Sequence, residues 1–213
     1  ILKDLYGPQE LLRLGLLPAE LVYGDCGFLR PCYPFDADWV HPLTLHAVDL
    51  ARTPDGTMRV IGDRTQSPSG AGYALENRVV LSRAMPSLFR EAHVHRLALF
   101  FQNLRSSLAA LAPERNNPNI VVLTPGPHNE TYFEHSFLAS YLGYTLVEGG
   151  DLTVRDGRVW LRSMGRLEPV DVILRRLDED YCDALEPRSD SLLGVPGLVE
   201  VARRGRVAVV NPM

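Results

Sequence analysis

The hardest constraint in this sequence is a set of short apolar runs that each stop at a polar loop. Residues 119–124 (NIVVLT), 144–148 (YTLVE), 170–174 (VDVIL) and 207–210 (VAVV) are too short for helices and rich in β-branched side chains. Such runs suit strands buried on both faces of a sheet. Helix-length segments lie between them. One starts at Thr131, where Thr131-Tyr132-Phe133-Glu134 reads as a capping box, and runs to Leu142 before Gly143. Another follows Pro196 and closes at Gly205. Strand, helix and returning strand imply right-handed crossovers. The expected fold is therefore α/β, with a mainly parallel sheet flanked by helices. A small β-hairpin should be inserted at residues 152–161, because Asp156-Gly157 is a type I′ turn signal.

The earlier half is less regular. Residues 8–14 read as a short helix, residues 23–42 as an irregular connection, and residues 43–50 and 57–62 as strands around the turn Thr53-Pro54-Asp55-Gly56. Those two strands pair as a hairpin or lie as neighbours. Helices are expected over 73–90, limited by Pro86, and over 93–111, with Leu97, Phe100, Phe101, Leu104, Leu108 and Leu111 on one stripe. We divide the chain into residues 1–56, an irregular segment with a first strand, and residues 57–213, the α/β domain.

Composition excludes several classes. The 213 residues are 46% hydrophobic and 23% charged, enough for a substantial core, and the formal net charge is −4. No basic face dominates, so nucleic acid is not an expected partner. No apolar run approaches the roughly 18 residues needed to cross a bilayer, so no membrane partner is expected either. Cys26, Cys32 and Cys182 form no C-x-x-C pair, and an odd count argues against a disulfide frame. A reducing, cytoplasmic setting is expected. The chain opens on Ile1 and closes on a strand with a polar tip, which reads as a piece of a longer protein.

In open α/β sheets, ligands sit beyond the carboxyl ends of the strands. The polar clusters fall there. The stretch GDRTQSPSGAGYALENR (62–78) joins a strand to a helix. Its Ser-Gly helix start offers free N–H groups for phosphate or carboxylate, with Ser67, Ser69 and Gly70 closest and Arg64, Glu76, Asn77 and Arg78 nearby. A plain helix cap and a solvated charged face compete with that reading. Asn129 and Glu130 follow the next strand, and Arg175, Arg176 and Asp178 another. Adjacent strand residues face opposite ways, so one of the two arginines should point to the cleft and the other to a structural partner. His128 and His135 match no ligand spacing, and Thr131 and Glu134 read as caps, which leaves a metal-dependent hydrolase as a lesser rival.

Four strings carry a family resemblance: GDRTQSPSGAGYALENR, LTPGPHNETYFEHSFLASYLGYTLVEGGDLTVRDGRVWL, VDVILRRLDEDYCDALEPRSDSLLGVPGL and the terminal VVNP. Together they resemble the circularly permuted ATP-grasp proteins of bacteria, which are similar to glutathione and glutathionylspermidine synthetases. The resemblance implies an ATP-dependent carboxylate–amine ligase acting through an acyl phosphate, with ATP and Mg2+ as cofactors of the full-length protein. It implies small carboxylate and amine substrates, with this chain on the substrate side and the nucleotide-binding lobes elsewhere in the same polypeptide. The better-known ligases carry an acid–x–amide pair for magnesium where this chain has Gly62-Asp63-Arg64. Asp63 is the one acid left there: either it holds metal together with residues outside this chain, or Glu76 and Asn77 substitute, or the ligase chemistry has drifted, and a non-catalytic binding or scaffold domain is the alternative.

Overall fold

The structure, a computed structural model, describes residues 1–34, 43–186 and 188–213. The later part of the irregular connection expected over 23–42 lies outside the described residues. Among them the strands are β1 (Ala47–Arg52), β2 (Met58–Arg64), β3 (Ile120–Leu123), β4 (Thr145–Val147), β5 (Leu152–Arg155), β6 (Arg158–Ser163), β7 (Arg166–Pro169), β8 (Val172–Arg175) and β9 (Ala208–Val210). The helices are α1 (Leu2–Leu5), α2 (Glu10–Arg13), α3 (Ala19–Tyr23), α4 (Ala71–Ala84), α5 (Pro86–Glu91), α6 (Ala98–Ala110), α7 (Tyr132–Leu142) and α8 (Leu198–Arg203).

The four short apolar runs form one wholly parallel sheet in the order β4-β3-β8-β9. Strand alternation assigns its two faces. Val121 and Leu123 of β3 and Ile173 of β8 pack with α8, β5 and β6. Ile120 and Val122 of β3 and Val172 and Leu174 of β8 pack with α4, α6 and α7. The β3-to-β4 crossover through α7 and the β8-to-β9 crossover through α8 therefore lie on opposite faces. Strand order reverses between β3 and β8, which creates a crevice at their carboxyl ends.

The rest of the β structure is antiparallel, so "mainly parallel" describes the central sheet and not the whole chain. The inserted unit is larger than the expected hairpin. β5, β6 and β7 form a three-stranded meander in which β7 covers the outer edge of β6. Its first turn is as expected: Asp156 and Gly157 have φ of 52° and 68°, the two positive values that a type I′ turn requires. β7 escaped notice because Arg166–Pro169 is exposed along its length and has no apolar alternation.

β1 and β2 form a separate hairpin with an irregularity at Asp49/Leu50, and the boundary expected at residue 56 falls in its turn. The helix expected over 73–90 is two helices, α4 and α5, divided at Met85-Pro86 because proline lacks the N–H needed to continue. The expected 93–111 helix is shorter, at Ala98–Ala110, and Phe100 of its expected apolar stripe is exposed, while the helix expected after Pro196 runs Leu198–Arg203. Asp183, buried and three-fold bonded to the amides of Leu185, Gly197 and Val199 at 2.9 Å, secures the start of α8.

A two-stranded hairpin is marginal alone. Here it is moored to the sheet by two buried polar side chains. Asn211, just past β9, accepts the amides of Thr44 and Leu45 at 3.1 Å and donates to the carbonyls of Leu45 (2.6 Å) and Thr65. Arg175, at the end of β8 and 0% exposed, donates to the carbonyls of Asn211 (2.7 Å), Leu177 (2.8 Å) and Pro212 (2.7 Å) and to the Gln66 side chain. Asn211→Ala should orphan four backbone groups on both flanks of the hairpin. The expected loss is about 2–4 kcal/mol in urea unfolding, with β1 and β2 amides losing hydrogen-exchange protection first.

Candidate functional site

The loops that follow β2, β3, β4, β8 and β9 meet at the carboxyl rim of the parallel sheet. Arg175 and Asn211 fasten the stretch Thr65-Gln66 there. The Arg176 amide donates to the Leu123 carbonyl at 2.8 Å, and the Thr124 amide to the Val147 carbonyl at 2.9 Å. Gly126 has φ +99°, and a Cβ added there would stand 3.2–3.3 Å from the Glu148 carboxyl group, so the β3 and β4 loops are in contact.

The opening of α4 is the best-defined feature of this rim. Its first-turn amides, expected to await an anion, hold one supplied by the protein. Glu134, fully buried in α7, accepts from Gly70 N–H at 2.7 and 2.9 Å and from Gly72 N–H at 2.8 Å. The capping box expected at Thr131-Glu134 is therefore corrected: Glu134 caps α4 instead of its own helix. A carboxylate at a helix N-terminus is favoured by the oriented amides and the dipole. Gly72 has to be glycine, since a Cβ would come within 2.8 Å of Glu134 Cγ.

Arg176 completes this arrangement. It lies 4.0 Å from Glu134 and donates to the Pro68 carbonyl at 2.9 Å, while its buried Nε has no partner among the described residues. Burial works against its charge, with Arg175 adding to that effect and Glu134 opposing it. Neither arginine is split between cleft and scaffold as strand alternation suggested. Residue 176 lies beyond β8, where alternation no longer governs direction, and both guanidinium groups are held by protein.

Beside Glu134 runs a buried relay. Gly126 N–H donates to Thr124 Oγ1 (3.2 Å), which meets His135 Nδ1 at 2.9 Å. His135 Nε2 meets Thr131 Oγ1 at 2.9 Å, and Thr131 Oγ1 donates to Asn129 Oδ1 at 2.6 Å. With the Thr131 proton committed to Asn129, His135 carries its proton on Nε2 and accepts from Thr124 on Nδ1. Burial, with Arg176 adding, brings the His135 pKa down to about 4. His135 is thus a neutral structural connector.

The remaining sequence candidates divide cleanly. Arg78 donates to the carbonyls of His95 (2.9 Å) and Ala74 (3.2 Å). Arg64 pairs with Asp49 at 3.0 Å and Asp63 with His46 at 3.0 Å, both on the exposed hairpin. Ser69, Asn77, Glu130 and Asp178 are exposed, and Ser67, Glu76 and Asn129 half-buried. Among the described residues, no three His, Cys, Asp or Glu side chains gather closely enough to hold a metal ion. No described helix is long and apolar enough to cross a membrane.

Sequence reasoning missed Glu134, Thr124, Gln66 and Asp183. Glu134 was hidden because three residues after a threonine is also where a local cap belongs.

A parallel sheet with loops gathered at its switch point defines an α/β domain. The chain belongs to the circularly permuted ATP-grasp type 2 family, whose sequence profile matches residues 1–213. It is 47% identical over 214 residues to an uncharacterized protein of Mycobacterium tuberculosis, covering 100% of this chain and 24% of that one. An uncharacterized protein of Synechocystis is 44% identical over 214 residues, covering 99% and 44%. Another from Mycobacterium leprae is 40% identical over 212 residues, covering 98% and 37%. The chain thus spans less than half the length of these curated relatives.

Two measurements probe the site. Glu134→Gln removes the charge that accepts three amide bonds and faces Arg176. It should cost about 3–5 kcal/mol and loosen the Pro68–Gly72 loop, read by denaturation and amide exchange. For His135, the folded pKa of about 4 lies below the ordinary 6.5, so the unfolded chain binds the extra proton between those values. Stability should rise with pH from about 4 to 6.5 and be flat above, by on the order of 2–3 kcal/mol. In His135→Gln that slope should be absent.

Proposed function

We propose that this chain forms the substrate-side rim of an ATP-dependent carboxylate–amine ligase that acts through an acyl phosphate. The observation that carries the reading is the convergence of five loops at the sheet's switch point, in a chain of a family named for its ATP-grasp fold. ATP-grasp proteins generally bind ATP and Mg2+. The described residues do not fit the metal: Asp63 is paired with His46, and among them no three His, Cys, Asp or Glu side chains gather closely enough to hold an ion. Any magnesium and nucleotide would therefore be held by other parts of a longer polypeptide.

What this chain's own residues supply is anion recognition. Glu134 takes the Gly70 and Gly72 amides of α4 and leaves those of Ala71 and Tyr73, with the exposed Ser69 hydroxyl beside them. These groups suit a substrate carboxylate. Asn77 and Asn129 are available to orient it, and the Glu130 and Asp178 carboxylates to receive a proton from an incoming amine. Gly70, Arg78, Arg175 and Arg176 hold the rim in shape, which narrows the binding set to Ser67, Ser69, Glu76, Asn77, Asn129, Glu130 and Asp178. Arg64 remains a candidate, since an exposed pair with Asp49 can be exchanged for a ligand at little cost.

A second reading, a binding or scaffold domain without catalysis, draws on Gly62 and Arg64 standing where the better-known ligases carry the acid and amide of their magnesium pair. The full-length protein separates the two. Incubated with ATP, Mg2+ and panels of small carboxylates and amines, a ligase releases ADP and phosphate only when both substrates are present. It also moves 18O from the labelled carboxylate into phosphate. Ser69→Ala should then raise the KM for the carboxylate about tenfold with kcat little changed. No ADP release with any pair, together with no calorimetric heat from ATP, would establish the scaffold.

A further inference from the structure

One region of the chain leaves a run of apolar side chains exposed. From residue 76 to residue 100 no side chain is buried. This covers the second half of α4, all of α5 and the start of α6. Arg78 closes the base of the arm through its bond to His95. Short helices draw their stability from packing an apolar face, and α5 has only six residues. Yet Val80, Leu81, Met85 and Leu88 are 50%, 44%, 48% and 60% exposed. Such a run on neighbouring helical turns is the kind of surface that marks an interaction site. Its charge is uneven as well: residues 79–97 carry Arg83, Arg90 and Arg96 against the single acid Glu91.

The relatives indicate the occupant. The matched region is 24%, 44% and 37% of three of them, so in each more than half the polypeptide lies outside it. A tethered lobe meets the arm at an effective concentration near millimolar, which a second copy in solution does not reach. We propose that the arm at residues 79–96 is the docking surface for another lobe of the same longer polypeptide, one presenting an apolar face rimmed by carboxylates.

Hydrogen exchange on the full-length polypeptide tests it. Amides of residues 79–92 should exchange at least about tenfold more slowly than those of a solvent-exposed helix, at every protein concentration. The pair Leu81→Glu and Leu88→Glu should abolish that protection and also speed exchange at one site outside the family-matched region. If the apolar pair prevents folding, Arg83→Glu with Arg90→Glu should weaken the same protection in a salt-dependent way. Rapid exchange of the arm in the unaltered protein would overturn the proposal. So would protection that disappears on dilution together with a dimer mass, because the occupant would then be a second copy.

Discussion

A guanidinium group sealed from water must find every acceptor inside the protein, and Arg175 does so by gathering the chain around the end of β8. Its donors reach Leu177, Asn211, Pro212 and Gln66, which belong to loops far apart in sequence. Asn211 extends the mooring to Thr44, Leu45 and Thr65. Without these bonds the β1–β2 hairpin has no reason to stay beside the parallel sheet, because its own strands bury little. An unpaired charge or amide at this depth costs several kcal/mol, so the arrangement is close to all-or-none.

The same logic operates one strand away. Glu134 is buried against two α4 amides and faces Arg176, so α7 and α4 are joined by charge as well as by apolar packing. This changes the meaning of the glycine-rich stretch at 70–72. Its open backbone admits a side chain from the protein's own core, and the surfaces left for a ligand are the outer amides and hydroxyls. Several arginines that look available in the sequence are absorbed by such internal contacts, which shifts the candidate site toward serine, asparagine and carboxylate groups.

The fold was legible where apolar patterning is continuous. NIVVLT, VDVIL and VAVV have no other stable use than buried strands, and the Asp156-Gly157 turn has few alternatives to its observed geometry. β7 was not legible, because an exposed edge strand is held by backbone pairing and carries no apolar signature. The site was legible as a set of loops and much less so as residues. Thr131-x-x-Glu134 satisfies a local cap in sequence, while in space Glu134 reaches a helix more than sixty positions earlier. Nothing local distinguishes the two outcomes.

By itself, the sequence determined the α/β class, the burial of the central strands and the gathering of polar loops at strand ends. Those follow from periodicity, which acts between near neighbours. Tertiary structure alone decided which charges are spent on holding the molecule together and which remain free for a ligand. That choice depends on acceptors brought close only after the chain has folded, when desolvation makes leaving any of them unpaired too costly.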